Sequence, residues 1–164
     1  MGAPLSGVIV GEKVWEGLVK GSDMMGPIGH GWTYSAHPIG AAAGVANLEL
    51  IDELGLVENA ARVGAYLRAR MAEALGDHPN VGEIRGEGML CAVELTSDRG
   101  TRAGFTPVAS VSGKVVAGMV KRGVIARAMP QGDIIGFAPP LCLSEGEADE
   151  IVRVTVEALR EVLG

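Results

Sequence analysis

Long apolar runs, basic clusters and the common catalytic signatures are all missing from this chain, and each absence removes a class of protein. No stretch holds roughly 18 consecutive apolar residues, so a membrane-spanning helix does not explain its most hydrophobic region. Net charge is −6 and the isoelectric point is near 5.1, with no Lys/Arg cluster. Neither nucleic acid nor a membrane surface is an expected partner. Cys91 and Cys142 lie in apolar contexts. They are expected to be reduced core thiols of a cytoplasmic protein rather than a disulfide. The N-terminus lacks the basic segment that opens a signal peptide. His30 and His37 have no third carboxylate or thiolate nearby and His78 falls in a turn, so no metal site is expected. G-x-S-x-G, P-loop and G-x-G-x-x-G patterns are absent, and Gly86-Glu87-Gly88 reads as a hairpin turn or bulge. Internal repeats and low-complexity tracts are absent too.

What is present begins with glycine: 25 of 164 residues, about twice the usual ~7%. With 48% of residues hydrophobic, that excess implies tight turns and close backbone approaches, not disorder. A chain of this length suits one domain, or a domain plus a piece of another. It can bury roughly 70% of its unfolded surface. The most informative stretch is residues 24–48, which hold no Asp, Glu, Lys or Arg in a chain that is 21% charged. At its centre is GHGWTYSAHPIG, residues 29–40. This reads as a backbone-rich loop that places the hydroxyls of Thr33, Tyr34 and Ser35 ahead of Pro38, a residue favoured in a first helical turn. Free N–H groups at a helix start, with hydroxyls beside them, form a seat for an anion or phosphate. The plain alternative for Thr33 is an ordinary turn threonine.

Periodicity predicts the elements. Residues 5–10 read as a short buried strand, and 12–19 as a helix with Val14, Trp15, Leu18 and Val19 on its apolar side. A long loop, 21–35, leads to a helix over 36–54. Its small-residue face, Gly40, Ala41, Gly44 and Val45, suits either internal helix packing or a subunit contact, and Gly55 ends it. A second amphipathic helix covers 57–75, and residues 76–80 break the chain. Strands follow at 81–85 and 89–95, then a polar loop, a helix over 108–122, and short strands at 124–127 and 134–137. The last helix opens on a capping box, Ser144 with Glu147 three residues on, and runs to 163. The β-β-α-β-β-α order predicts an α/β chain, more narrowly an α+β domain, whose small antiparallel or mixed sheet is covered on one side by helices. Residues 1–55 look like the tail of another domain, ahead of a separate unit over 56–164. Arg127, between a short apolar strand and a Gly/Pro-containing loop, is placed to offer a planar fork to a carboxylate, unless it is simply a surface arginine. Arg85 lies between strands and is assigned a structural role, and Glu94 the polar face of a half-buried sheet.

Three segments carry a resemblance: GHGWTYSAHPIGAAAGVANLELI, IRGEGMLCAVEL and VIARAMPQGDIIGFAPPLCLS. Together they resemble the C-terminal part of class III aminotransferases, pyridoxal 5'-phosphate enzymes of fold type I. The nearest group is the amine or ω-amino acid:pyruvate transaminases. The resemblance implies that Thr33, with the backbone of Trp32, binds the cofactor phosphate across a dimer interface. It implies that Arg127 binds the substrate carboxylate and swings aside for amines without one. The reaction implied moves an amino group from an amine or ω-amino acid to a keto acid such as pyruvate. The same resemblance places the Schiff-base lysine just upstream of the proline matching Pro4, outside this sequence. Lys13 and Lys20 occupy a polar helix face, and Lys114 and Lys121 a helix remote from the loop, so none replaces it. The chain is therefore expected to have no catalytic residue of its own and to be inactive alone. It would work in a homo-oligomer, a dimer, or with a complementary N-terminal fragment; the alternative is a non-catalytic domain acting only in oligomerisation.

Overall fold

The computed structural model describes residues 5–27, 29, 31 and 33–164. Its elements are α1 (Glu12–Met25), α2 (Pro38–Glu53), α3 (Leu56–Leu75), β1 (Val81–Glu87), β2 (Leu90–Leu95), α4 (Ser112–Lys121), β3 (Arg127–Ala128), β4 (Ile134–Phe137) and α5 (Glu145–Leu163). They fall into two compact units, Met1–Ile51 and Asp52–Gly164.

In the second unit the sheet runs β1-β2-β4-β3, with every neighbouring pair antiparallel. Of the two sheet types expected, the purely antiparallel one forms. Alternation along β2 buries Cys91, Val93 and Leu95, and along β4 it buries Ile135 and Phe137. The register sets Cys91 opposite Phe137 and Val93 opposite Ile135, which lines these side chains up on one face. Against that face pack α3 and α4, and α5 packs on both helices. The stripe Val63, Leu67, Met71 and Leu75 on α3 recurs every fourth residue, as a helix with one buried side must. Gly64 lies in the same stripe because a β-carbon there would overlap the Gly88 carbonyl. That carbonyl also accepts a hydrogen bond from Arg68 Nη1 at 2.6 Å. Helix α3 thus meets the β1–β2 turn backbone to backbone.

The capping box forms as expected. Glu147 N–H donates to Ser144 Oγ at 3.3 Å, and Ser144 N–H donates to Glu147 Oε2 at 2.8 Å. The bond from Ser144 N–H, then one from Ser144 Oγ at 2.7 Å, holds the Glu147 carboxyl below the usual range. Tyr66 OH and Arg70 Nε both donate to Asp149, at 3.0 Å, which ties α3 to α5. The Arg70 bond, then that from Tyr66, lowers the Asp149 carboxyl in turn. Helix α4 starts at Ser112, later than the sequence predicts. Its first amides are captured by a residue distant in sequence: Asp133 Oδ1 accepts from Val111 N–H at 2.7 Å and Ser112 N–H at 2.8 Å. The strand expected over 124–127 forms instead at Arg127–Ala128, the two residues that pair with β4. Cys91 is buried as expected, whereas Cys142 is exposed. Its apolar neighbours belong to the turn before α5, where Leu143 alone turns inward.

The first unit differs from expectation in two places. Residues 5–10 are exposed and form no strand, since no strand lies beside them among the described residues to complete a ladder. Leu5 rests instead on Gly44, where a β-carbon would strike it. Helix α1 runs past residue 19 and into the expected loop as far as Met25, ending where Gly26 (φ 87°) returns its N–H to Ser22 O at 2.9 Å. None of the α1 residues is buried, and Gly40 is the buried residue of α2.

Candidate active site

The uncovered face of the sheet carries the first candidate group. Across it, one row of paired positions reads Arg85, Ala92, Gly136, Arg127. Residues paired this way share a face, so two small residues separate two guanidinium groups. An open cavity of about 630 Å³ lies over this row, walled further by Leu90, Met129 and Ile134. Its size is that of a small-molecule site, mostly apolar with a few polar groups at the edge. Arg85 is tied by Nη1 to Glu94 at 2.5 Å and Glu83 at 2.7 Å. The hydrogen bond to Glu94 is the main cause that raises its pKa. Arg127 is exposed, and among the described residues no carboxylate pairs with it. An uncompensated planar cation at the rim of an apolar cavity is suited to a ligand carboxylate.

The second candidate group lies in the first unit. Residues 33–36 form a turn just before α2, and Thr33 and Tyr34 are exposed there. The Tyr34 ring meets His37 edge-on, with centroids 6.1 Å apart. His37 Nδ1 accepts the Gly40 N–H at 3.3 Å, so one amide expected to be free at the helix start is already occupied. The seat then consists of the turn itself, with Thr33 Oγ1 as its described donor. A hydroxyl with turn amides is a donor set that fits a phosphate. Trp32, the other expected cofactor contact, lies outside the described residues. Lys13, Lys20, Lys114 and Lys121 are all exposed.

Sequence reasoning missed Ala92, Gly136 and Met129 as parts of the cavity, and gave Arg85 only a structural role. Nothing local marks them; they meet through strand register. Among the described residues no helix is long and apolar enough to cross a membrane.

With that geometry in place, comparison with known proteins defines the class. The fold is that of solved transaminases. One, described as "Directed Evolution of Transaminases By Ancestral Reconstruction", superposes with a TM-score of 0.95 at 56% identity, covering 98% of this chain and 35% of the other. The omega transaminase of Pseudomonas jessenii in complex with PMP gives 0.85 at 40% identity, over 91% of this chain and 32% of the other. The family described as aminotransferase class-III matches residues 1–159, and the chain belongs to that family. Among curated relatives, the diaminobutyrate–2-oxoglutarate transaminase of Halomonas elongata is 54% identical over 97% of this chain and 34% of its own length. The putrescine–pyruvate aminotransferase of Pseudomonas aeruginosa is 36% identical over 95% of this chain and 33% of its own length. The chain thus spans about a third of the length of the curated relatives it matches.

Proposed function

We propose that this chain supplies part of the active site of a pyridoxal-phosphate-dependent transaminase, one that moves an amino group from an amine or ω-amino acid to a keto acid such as pyruvate. The observation that carries the reading is the exposed Arg127 guanidinium, without a carboxylate partner among the described residues, at the edge of the apolar cavity, in a chain whose relatives are transaminases. Arg127 holds the substrate carboxylate through two parallel N–H donors, and the apolar floor keeps water from the substrate's carbon chain. For an amine without a carboxylate the same side chain turns outward, at little cost because no described residue pairs with it. Thr33 Oγ1 and the Trp32 amide donate to the cofactor phosphate and fix its position. When bound, the cofactor supplies the electron-withdrawing ring on which the amino group is carried between donor and acceptor. The lysine that anchors it comes from polypeptide outside this sequence.

In this reading residues 1–55 complete the large cofactor-binding domain, and 56–164 form the small domain. The exposed apolar side chains of α1, including Val14 and Trp15, support a covering partner: a second copy, as in a dimer, or the complementary N-terminal part. Two unpaired cysteines fit a reducing, cytoplasmic setting. In the assembled enzyme, Arg127→Ala should lower kcat/KM for pyruvate far more than for an amine lacking a carboxylate. Equal losses for both would reject the carboxylate role.

A further inference from the structure

The turn that follows Arg127 ends on a buried carboxylate bonded to the start of α4, and we propose that Asp133 is a positioning residue for the substrate carboxylate, acting through Arg127. This inference rests on the reading of Arg127 as the carboxylate site. Arg127 sits on β3, an edge strand of two residues whose neighbour among the described residues is β4. An edge strand has unpaired backbone along its outer side, so two ladder positions leave its angle loosely set.

Helix α4 frames that strand from both ends. At its C-terminal end Gly123 (φ 85°) turns the chain, Val124 N–H returns to Met119 O at 3.1 Å, and β3 follows. At its N-terminal end Asp133 Oδ1 accepts from Val111 N–H and Ser112 N–H, bonds that span 22 and 21 residues. The side chain thereby closes a ring that runs along α4, through β3 and its turn, and back to the first turn of α4. Two further bonds brace the turn: Asp133 O accepts Leu95 N–H at 2.8 Å, and Met129 N–H donates to Ile134 O at 2.9 Å. Asp133 is 4% exposed and is the one buried carboxylate among the described residues. A carboxylate withdrawn from water is held where helix N–H groups compensate it, and here the same bonds fasten the turn. The anchor belongs to the core, because Val115 and Met119 of α4 are fully buried. A fork that meets a carboxylate with two parallel bonds is sensitive to its placement, and a shift of about 1 Å can cost about 100-fold in rate.

The test compares pyruvate with a carboxylate-free amine in the assembled enzyme. Asp133→Ala should raise KM for pyruvate about tenfold, keep kcat within about twofold, and leave KM for the amine unchanged. Asp133→Asn, which keeps the arm length and an acceptor, should stay near wild type. Asp133→Glu, which keeps the charge and lengthens the arm, should raise KM for pyruvate; a purely electrostatic role would reverse that order. In an Arg127→Ala background Asp133→Ala should cost pyruvate nothing further, since its effect runs through that side chain. Hydrogen exchange on the full chain by itself gives an independent readout. Asp133→Ala should speed exchange at Met129 N–H while Val93 and Ile135 keep their protection. Ser112→Ala removes a buried hydroxyl that has no partner and keeps the N–H bonded to Asp133, so it should move neither readout. Should Asp133→Ala not assemble, Asp133→Asn and Asp133→Glu carry the same comparison. Equal KM rises for pyruvate and amine, full additivity with Arg127→Ala, or a uniform loss of protection across the sheet would overturn the proposal. If Arg127→Ala itself does not single out pyruvate, the carboxylate role of Arg127 falls and this proposal with it. If Arg127→Ala does and Asp133→Ala does not, only the role of Asp133 falls.

Discussion

The two units of this chain are built on opposite principles. Asp52–Gly164 closes a core: Val63, Leu67, Val93, Val115, Ile135 and Leu159 have no exposed surface. Met1–Ile51 holds two helices, one of them more apolar than α3 or α5, yet among the described residues it buries little beyond Gly40. Trp15 keeps 55% and Ile39 70% of their surface accessible. The contrast shows that local helix pattern does not decide whether a segment can stand by itself. Both units have amphipathic or apolar helices, but the described residues supply a second layer only for the second. Among the described residues, the apolar side chains of the first unit stay accessible.

The comparison breaks most sharply in the second unit's core. Leu67→Ala removes a fully buried side chain and should cost about 2–5 kcal/mol of unfolding free energy by denaturant titration. Gly64→Ala should cost about 1–3 kcal/mol, because the Gly88 backbone must move to admit a methyl group. A smaller effect belongs to the α5 cap, where Ser144→Ala should cost about 1 kcal/mol. That variant also sharpens the acid response. The Glu147 and Asp149 carboxyls both lie below their ordinary range in the folded state. Each therefore contributes stability that is present above its unfolded pKa and is lost as pH falls through its lower folded value. Thermal stability should hold from neutrality to about pH 5 and fall below about pH 4. Ser144→Ala removes the hydroxyl bond to Glu147 and keeps the backbone N–H, so it should flatten that fall only slightly, and a steeper fall would contradict the hydroxyl as a contributor. The smallest effect belongs to the first unit: Val14→Ser with Trp15→Ser should change stability by less than about 0.5 kcal/mol. A large loss there would mean that α1 already has a core.

What was legible in the sequence follows the same division. Elements set by local chemistry stood out: the Ser144/Glu147 box, Gly55 after α2, and the alternating strands of β2 and β4. Features set by distant partners did not. The α4 start depends on Asp133, the length of β3 on what β4 offers, and the Arg85–Arg127 row on a register that no local pattern encodes. Residues 5–10 look like a strand in composition, but a strand needs a neighbour to pair with. Thr33 and Arg127 were singled out from loop chemistry and from resemblance to a family, and the structure sets one in an exposed turn and the other at a cavity wall. The cavity's small residues, Ala92 and Gly136, carry no chemistry that a sequence would flag.

The central claim is that the first unit's bare surface and Thr33 serve a site completed by other polypeptide. The direct measurement mixes this chain with the two-thirds of the Halomonas relative that it does not match, adds pyridoxal phosphate, and follows amine-dependent loss of pyruvate. The account predicts transamination in the mixture, in neither part alone, and its loss with Thr33→Val. A stable mixed complex without activity, or activity indifferent to Thr33→Val, would contradict it.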